Sequence, residues 1–460
     1  MRKDQFAEFQ RRSCGRQGRF PAVFSRRNFL AGGLSGVGYM LLSAGLEAQS
    51  GPAVKTQNTA RACIYINLEG GPSHLDTFDP KDGPWNPRDA DLRQHPGGIL
   101  LSQRFFPILS SLTSELCVLR SVSSWELAHS RGQFYVQTGH KSNPAFAADT
   151  PHIGAVVAYE RKNTGALPPF VSFGNGSDEQ RQGFLPGSTA PFSFYPNPGG
   201  LYNLRHDFYG NQSKTFFEQS FALLGALDAP LRQRPLSAEM AAYSEVQNQA
   251  RALVYNDAVE GVFKFSNADD ARYGGTNIGR SLIIARNLVR SKLGTVFINV
   301  TQSGWDIHAQ QFNKQANMNI YRQTGELDRA LGNLILDLRV GGDLSSTLIA
   351  VLGEFGRTPG PLNSRDGRDH YRAVMSAVLA GGGVRGGRAI GASDEMGGFI
   401  TDSGWAQDRS IYPEDIVATI YSALGIQWTK SLEGALSGRR FSYIVGAEEG
   451  LFMPIQEVFV

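Results

Sequence analysis

Short, continuous apolar segments recur along the chain and are bounded by turn-forming residues. The first covers residues 62–68 and stops before Gly70-Gly71-Pro72. A continuous apolar run of this length is typical of a strand buried on both faces, as in a parallel sheet. Five further runs have the same character: residues 116–122, 170–173, 295–300, 346–352 and 374–379.

Segments with the apolar spacing of amphipathic helices lie between these runs. They cover residues 129–138, 214–226, 236–263, 278–292 and 315–341. A last helix is predicted to begin at Pro413, with Glu414 and Asp415 in its first turn, and to end at Gly425. Strands that alternate with helices predict a layered α/β fold.

Residues 175–215 interrupt this alternation and are rich in Gly, Pro, Asn and aromatic residues. The segment is predicted to be a long loop excursion over the sheet edge, either a functional lid or a plain insertion. The chain shows no internal repeat and no clear linker, so residues 49–460 are predicted to form a single domain.

The first 48 residues differ in charge from the rest of the chain. The 460 residues carry a net charge of +3. Residues 1–48 contain eight basic and three acidic side chains, which leaves the remainder at −2. A near-neutral body lacks the electrostatic footprint of nucleic-acid binding.

The N-terminal segment has the pattern of a twin-arginine signal peptide. Ser25-Arg26-Arg27-Asn28-Phe29-Leu30 is followed by a weakly apolar stretch and by a plausible cleavage site at Leu46-Glu47-Ala48. An uncleaved membrane anchor is the alternative, but glycines and serines make this stretch a poor transmembrane helix. The sequence therefore predicts export by the twin-arginine translocase, a periplasmic or extracellular location and no permanent membrane span.

Three cysteines are present, and Cys14 lies in the leader. Cys63 and Cys117 fall inside predicted buried strands. We interpret them as inert apolar thiols, with one disulfide as the open alternative.

Polar side chains follow the predicted strands at the points where the strands end. Ligands of open α/β sheets bind beyond the carboxyl ends of the strands, so these residues are expected to meet at one edge. Four of the eight histidines are among them, whereas His95, His140, His152 and His206 are interpreted as surface or loop-packing residues. The post-strand set comprises Glu69, His74, Asp76, Asp79, His129, Ser130, Arg131, Asp306, His308, Glu354, Arg357, Arg368, Asp369 and His370.

Carboxylates combined with imidazoles suit Zn, Mn or Fe. Asp306 and His308 lie two residues apart, on the same side of an extended loop. Asp369 is either a ligand or a partner that orients the ring of His370. Arg131, Arg357 and Arg368 could bind an anionic substrate through their guanidinium groups, with ordinary ion pairs as the alternative. Loop caps and surface ion pairs are the structural alternative for the whole set.

Three motifs resemble one family of secreted bacterial proteins, the domain of unknown function 1501. They are Gly70-Gly71-Pro72-Ser73-His74-Leu75-Asp76-Thr77-Phe78-Asp79-Pro80-Lys81, Gly353-Glu354-Phe355-Gly356-Arg357-Thr358-Pro359 and Gly367-Arg368-Asp369-His370. The family is similar to the alkaline phosphatase superfamily, which includes sulfatases and phosphodiesterases. The resemblance implies a three-layer αβα fold with a mostly parallel central sheet.

The resemblance also implies a ligand order, with departures. Asp76, with Glu69 as the alternative, matches the first acid, and Asp306 and His308 match an Asp and a His that bind one metal. The nucleophile position, ten residues before the Gly of Thr138-Gly139, falls on His129, which removes the covalent ester intermediate of the superfamily. Glu354 matches a late acid, but Phe355 follows it where the superfamily has His or Asn, which would leave one metal site in place of two. His370 matches the final His.

Two functions from different classes follow. The first is a metal-dependent hydrolase of phosphate or sulfate esters that uses a metal-activated water. Zn is the expected metal, with Mn, Fe or Ca open, and the candidate ligands are Asp76, Asp306, His308, Glu354, Asp369 and His370. His129 would act as a general acid or base or as a further ligand, and Arg131 and Arg357 would bind the anion. The second is a catalytically silent metal- or carbohydrate-binding or assembly protein, with residues 175–215 as its partner surface.

Overall fold

The computed structural model describes residues 48–49, 54–162, 165–174, 181–201, 214–234, 247, 250–251, 253–254, 256–433 and 438–460. The predicted leader therefore lies outside the described residues, apart from Ala48. Across the part of the chain that is described, none of the helices combines the length and apolar character needed to cross a membrane.

Seventeen strands are present in the described ranges, and eight of them form the central sheet in the order β13-β5-β12-β9-β2-β8-β6-β7. In chain order the strands are β1 Ala48–Gln49, β2 Ala62–Leu68, β3 Leu92–Gln94, β4 Leu100–Ser102, β5 Leu116–Val122, β6 Phe170–Phe173, β7 Phe192–Phe194, β8 Phe297–Gln302, β9 Thr347–Leu352, β10 Gly356–Arg357, β11 His370–Tyr371, β12 Met375–Ala380, β13 Arg388–Ile390, β14 Ala392–Ser393, β15 Ile400–Asp402, β16 Ser431–Leu432 and β17 Phe441–Ser442.

Parallel pairing dominates the central sheet. β2 pairs in parallel with both β8 and β9, with Ile64 opposite Ile298 and Ile349. β12 is antiparallel to both of its neighbours, β5 and β9. The apolar runs predicted all six major strands: three have the predicted bounds, and β8, β9 and β12 differ by one or two residues. A run buried on both faces carries this signal because every one of its side chains must be apolar.

Eight α-helices are present in the described ranges: α1 His129–Thr138, α2 Ile153–Arg161, α3 Lys214–Gln233, α4 Asp257–Val262, α5 Asn267–Arg272, α6 Asn277–Ser291, α7 Ile320–Val340 and α8 Pro413–Ala423. The predictions for α1, α3, α6, α7 and α8 are confirmed. The prediction of one helix over 236–263 is wrong at its end, where Asn256 caps the separate helix α4, and most of its remainder lies outside the described residues. Sequence reasoning missed α2, whose apolar residues are too numerous to show a helical stripe.

Helices cover both faces of the sheet, as a three-layer αβα fold requires. On one face, Leu282 of α6 and Leu334 of α7 belong to the same buried cluster as Ile64 and Ile298 of the sheet. On the other face, Val156 of α2 and Ile416 of α8 pack in a second buried cluster. The α/β prediction is therefore confirmed.

The segment predicted as a long loop contributes a strand. Phe192–Phe194 forms the edge strand β7, which pairs in parallel with β6, and Phe194 stacks edge-on against Phe173. Residues 175–180 and 202–213 of this segment lie outside the described residues. The loop prediction is thus wrong for residues 192–194, because pairing with β6 supplies the order that the local sequence does not show.

Cys63 and Cys117 are both buried and free, so the thiol prediction is confirmed. Burial raises the pKa of the Cys117 thiol to about 12, which keeps it protonated and inert.

Candidate metal centre

One edge of the sheet collects the polar loops. The parallel strands β2, β5, β8 and β9 all end there, and β12 begins there because it runs in the opposite direction. Loops that follow four strands and the loop that precedes β12 therefore converge. This topology brings His370, which precedes β12, to the same edge as Asp306, which follows β8.

The turn after β2 sets the spacing of the site. The backbone N–H of Gly70 donates to Oε1 of Glu354 at 2.9 Å. Gly70 has φ of +113°, and a Cβ there would lie 2.4 Å from the backbone nitrogen of Asp306. Only glycine allows this approach, so the Gly70 turn holds the loops of Glu354 and Asp306 against each other.

Three imidazoles meet at one carboxylate oxygen. Oδ1 of Asp306 lies 3.2 Å from Nε2 of His129, 3.0 Å from Nε2 of His308 and 3.3 Å from Nε2 of His370. The Nε2 atoms of His308 and His370 are 3.1 Å apart. Among the described residues, His129, Asp306 and His370 offer ligand atoms that all lie within 4.8 Å of one another.

The opposite nitrogen of each ring has its own acceptor. Nδ1 of His129 lies 2.7 Å from Oε1 of Glu354, and Nδ1 of His308 lies 2.8 Å from Oδ1 of Asp369. Nδ1 of His370 lies 2.7 Å from the carbonyl oxygen of Leu127. A ring proton on Nδ1 would donate to each of these acceptors and would leave the Nε2 lone pairs turned toward Asp306. Nε2 of His308 also lies 3.3 Å from Nη1 of Arg357. Carboxylate or carbonyl partners behind the rings are the usual arrangement around metal-binding histidines.

The cluster contains a buried atom that its neighbours leave unsatisfied. Nε2 of His129 has no hydrogen-bond partner in the described part of the chain, although it lies close to Asp306. Lone pairs on neutral imidazoles repel a nearby carboxylate oxygen unless a cation or a proton lies between them. The observed donor separations are close to the edge of a tetrahedron around Zn²⁺, about 3.3 Å for bonds of about 2.0 Å. The residues present therefore fit a divalent ion of the Zn, Mn or Fe type.

The electrostatics of the cluster favour ionised Asp306. Partial burial opposes its charge, but the hydrogen bond and positive charge of Arg357 lower the pKa of Asp306 to about 2. The hydrogen bond to Glu354 raises the pKa of His129 above its usual value. Burial lowers the pKa of His370, which favours the neutral ring that a metal requires.

Arg357 is only 1% exposed, and its guanidinium donates hydrogen bonds to other groups of the protein. Its Nε donates to the carbonyl oxygen of Gly71 at 2.7 Å, and Nη1 donates to that of Arg368 at 3.0 Å. Nη2 donates to Oδ1 of Asp306 at 2.5 Å. Its role in this structure is to orient and ionise Asp306. Arg131 lies on the surface, where its Nε donates to Glu126 at 2.7 Å.

Three predicted ligands lie outside the group of converging donors. Glu354 and Asp369 sit behind the rings of His129 and His308, as described above, and Oε2 of Glu354 also accepts from Gln133 at 2.6 Å. Asp76 is buried, and its Oδ2 accepts from Nε of Arg368 at 2.7 Å. The structure therefore gives each of these carboxylates a protein partner.

Other post-strand residues are dispersed. His74 is buried with Nε2 2.9 Å from the carbonyl oxygen of Gly397, and Asp79 pairs with Lys81 at 2.9 Å. The hydroxyl of Ser303 donates to Glu69. Among the histidines interpreted as surface or packing residues, His152 is fully buried and caps α2 by accepting from the N–H of Gly154. His206 lies outside the described residues.

Sequence reasoning missed two supports of the cluster. Gln133 lies one helical turn after His129, and this spacing could have marked it as a neighbour on the same face of α1. The carbonyl of Leu127 carries no side-chain signal at all, because a backbone acceptor is common to every residue.

Family comparison identifies the chain. The model of the family described as "Protein of unknown function (DUF1501)" matches residues 60–444, so the protein belongs to this family, as the three motifs predicted. A search of curated proteins found no match.

Several solved structures share a general likeness. The lipoteichoic acid synthase LtaP from Listeria monocytogenes is 12% identical, with 88% of this chain and 79% of that chain covered at a TM-score of 0.41. A protein in the alkaline phosphatase superfamily from Vibrio parahaemolyticus is 10% identical, with coverage of 83% and 69% at 0.39. The C-terminal periplasmic domain of EcEptC from Escherichia coli, solved in complex with Zn, is 11% identical, with coverage of 83% and 86% at 0.39. At these scores no residue role passes from those proteins to this chain.

Proposed function

We propose that this protein is a metal-dependent hydrolase of phosphate or sulfate esters. The observation that carries the proposal is the convergence of three Nε2 atoms on Asp306, with an acceptor behind each ring. We assign His129, Asp306, His308 and His370 as the residues that would hold the ion. Zn is the best fit to this donor set, with Mn and Fe as related choices.

A divalent ion that keeps one further coordination position for water beside these protein donors would supply Lewis acidity and lower the pKa of that water to about 7. The protein's own contribution is positioning. Glu354 and Asp369 fix the rings of His129 and His308, and Arg357 keeps Asp306 ionised. In the metal-free protein the hydrogen bond to Glu354 raises the pKa of the His129 imidazole above its usual value, which favours its protonated form.

Metal analysis of the purified protein tests this proposal. After metal-replete expression we expect about one divalent ion per chain in the wild type. His370→Ala should lose most of it, because one of four donors is removed, whereas His95→Ala, outside the cluster, should retain it. The same preparations are then assayed on p-nitrophenyl phosphate and p-nitrophenyl sulfate with Zn, Mn, Fe and Ca. A metal content near zero in the wild type refutes the proposal.

A non-catalytic binding protein is the second candidate, and Arg357 is the observation that favours it. Its buried guanidinium already neutralises Asp306, so the cluster could persist as a self-contained ion-pair network. In that case metal binds without turnover of either ester, or does not bind at all.

We also propose that the N-terminal segment directs export through the twin-arginine translocase and that residues 49–460 act as one domain. The support is the Ser25–Leu30 motif and the weakly apolar stretch after it. Replacing Arg26 and Arg27 by lysine should retain the protein in the cytoplasm. Unchanged export of that variant contradicts the proposal.

A further inference from the structure

A cavity of about 680 Å³ adjoins the candidate metal centre. It opens beyond the carboxyl ends of β2 and β8, and His129 and Ser130 at the start of α1 line one side of it. His129 therefore borders both the cavity and the cluster around Asp306. The volume falls in the range of small-molecule sites, about 300–1,000 Å³.

The wall of this cavity is polar. Ile278 is the only aliphatic side chain among its described lining residues, and amides are the most numerous type among the others. Most ligand pockets are lined mainly by apolar side chains, so this cavity is unsuited to an apolar ligand. The amide side chains are Asn67, Gln133, Gln137, Asn277, Gln302 and Gln323.

Glu354 fixes which way three of these amides point. An ionised carboxylate only accepts hydrogen bonds, so the NH₂ group of Gln133 must face it, at 2.6 Å. Oε1 of Gln133 then accepts from the NH₂ groups of Asn67 at 2.6 Å and Gln137 at 2.9 Å. These two hydrogen bonds fix the amide orientation of Asn67 and Gln137, so that Asn67 Oδ1 and Gln137 Oε1 are the acceptors that remain.

These acceptors have no partner in the described part of the protein. The same holds for Oε1 of Gln302 and for Oγ1 of Thr301. All four side chains line the cavity, and Asn67 and Gln137 are each 1% exposed. Buried polar atoms are normally hydrogen-bonded, so the cavity is built to receive a molecule that offers hydrogen-bond donors.

Charge narrows the class of ligand. The wall carries the carboxylates of Glu69 and Glu326, and Arg322 is paired with Glu326 at 3.0 Å. A phosphate or sulfate placed against Glu69 and the unpaired acceptors would be repelled. Hydroxyl groups donate to both. Tyr195 adds an aromatic ring, 46% exposed, against which the apolar face of a sugar can pack.

We propose that this cavity binds a neutral polyhydroxylated sugar unit through the Asn67, Gln137, Thr301 and Gln302 acceptors. It deepens the proposed function, because a sugar held beside His129 would present an ester substituent to the Asp306 cluster. Sugar recognition itself needs no metal.

Binding of neutral saccharides to metal-free protein tests the proposal. The probes are the methyl glycosides of glucose, galactose, mannose and fucose and their common disaccharides, measured by saturation-transfer NMR and calorimetry in the presence of a chelator. We expect at least one probe to bind, and Gln137→Met or Thr301→Val to weaken it about 5- to 10-fold, as the loss of one hydrogen bond implies. Gln94→Met, outside the cavity, should bind as the wild type does.

The outcomes separate the two proposals. Sugar binding that persists in His370→Ala, together with absence of metal in the wild type, refutes the hydrolase and supports the sugar site. Metal binding without saccharide binding overturns the sugar site and leaves the hydrolase standing. Binding of methylamine or inorganic phosphate in place of every sugar, or affinities that the two cavity variants leave unchanged, also overturns it.

Discussion

Replacing Glu354 by glutamine tests how the candidate centre is organised. Glu354 is fully buried and accepts from the Gly70 N–H and from Gln133 while facing Nδ1 of His129. Glutamine keeps the shape and removes the charge. Hydrogen bonds to charged groups contribute about 1.5–3 kcal/mol and neutral ones about 0.5–1.5 kcal/mol. Glu354→Gln should therefore weaken the support of His129 by about 1–2 kcal/mol.

Two consequences are measurable. Without the carboxylate, protonated His129 loses its main stabilising partner, so its pKa should fall relative to the wild type. In the wild type, stability linked to this proton is present at acidic pH and is lost as pH rises through the elevated pKa of His129. Glu354→Gln should remove that dependence. Zn affinity should fall about 10- to 100-fold, as for other partners behind metal-binding histidines.

NMR titration of the His129 ring in metal-free protein and chelator competition for Zn provide the two measurements. Glu126→Gln is the matched control, because Glu126 pairs with the surface residue Arg131. It should leave both quantities unchanged. An identical His129 pKa in the wild type and in Glu354→Gln would falsify this account of the ring.

Two further predictions concern stability. Asp76→Asn leaves the fully buried Arg368 without its counter-charge and should lower the free energy of unfolding in urea by about 3–5 kcal/mol. Asp91→Asn, in an exposed pair with Arg93, should leave the urea midpoint unchanged. Equal urea midpoints for the wild type and Asp76→Asn contradict the first claim. Burial raises the pKa of Glu414 to about 7, despite a hydrogen bond from Tyr135. Stability from the neutral acid is thus present below about pH 4.5 and lost as pH rises through 7, by up to roughly 3 kcal/mol. Glu414→Gln should reduce the dependence of the unfolding free energy on pH between pH 5 and 8. The same pH dependence in the wild type and the variant contradicts this prediction.

The sequence by itself determined the layered fold and the edge at which chemistry is concentrated. Strands buried on both faces must be apolar throughout, so the apolar runs at 62–68 and 116–122 can be recognised as strands from the sequence. The carboxyl ends of parallel strands share one edge, and this rule alone places Asp306 and His308 there. The three motifs likewise predicted the family from local residues alone.

Tertiary structure alone decided which of those polar residues face one another. Gly132 lets α1 approach the sheet so closely that a Cβ there would lie 2.8 Å from Glu354 Cβ, and this contact puts Glu354 behind His129. Arg357 turns inward because the backbone carbonyls of the Gly70–Gly71 turn accept hydrogen bonds from its guanidinium. Side-chain direction at such contacts depends on packing between segments far apart in the chain. Residue type and spacing predict that donors are present, but packing determines which atoms converge.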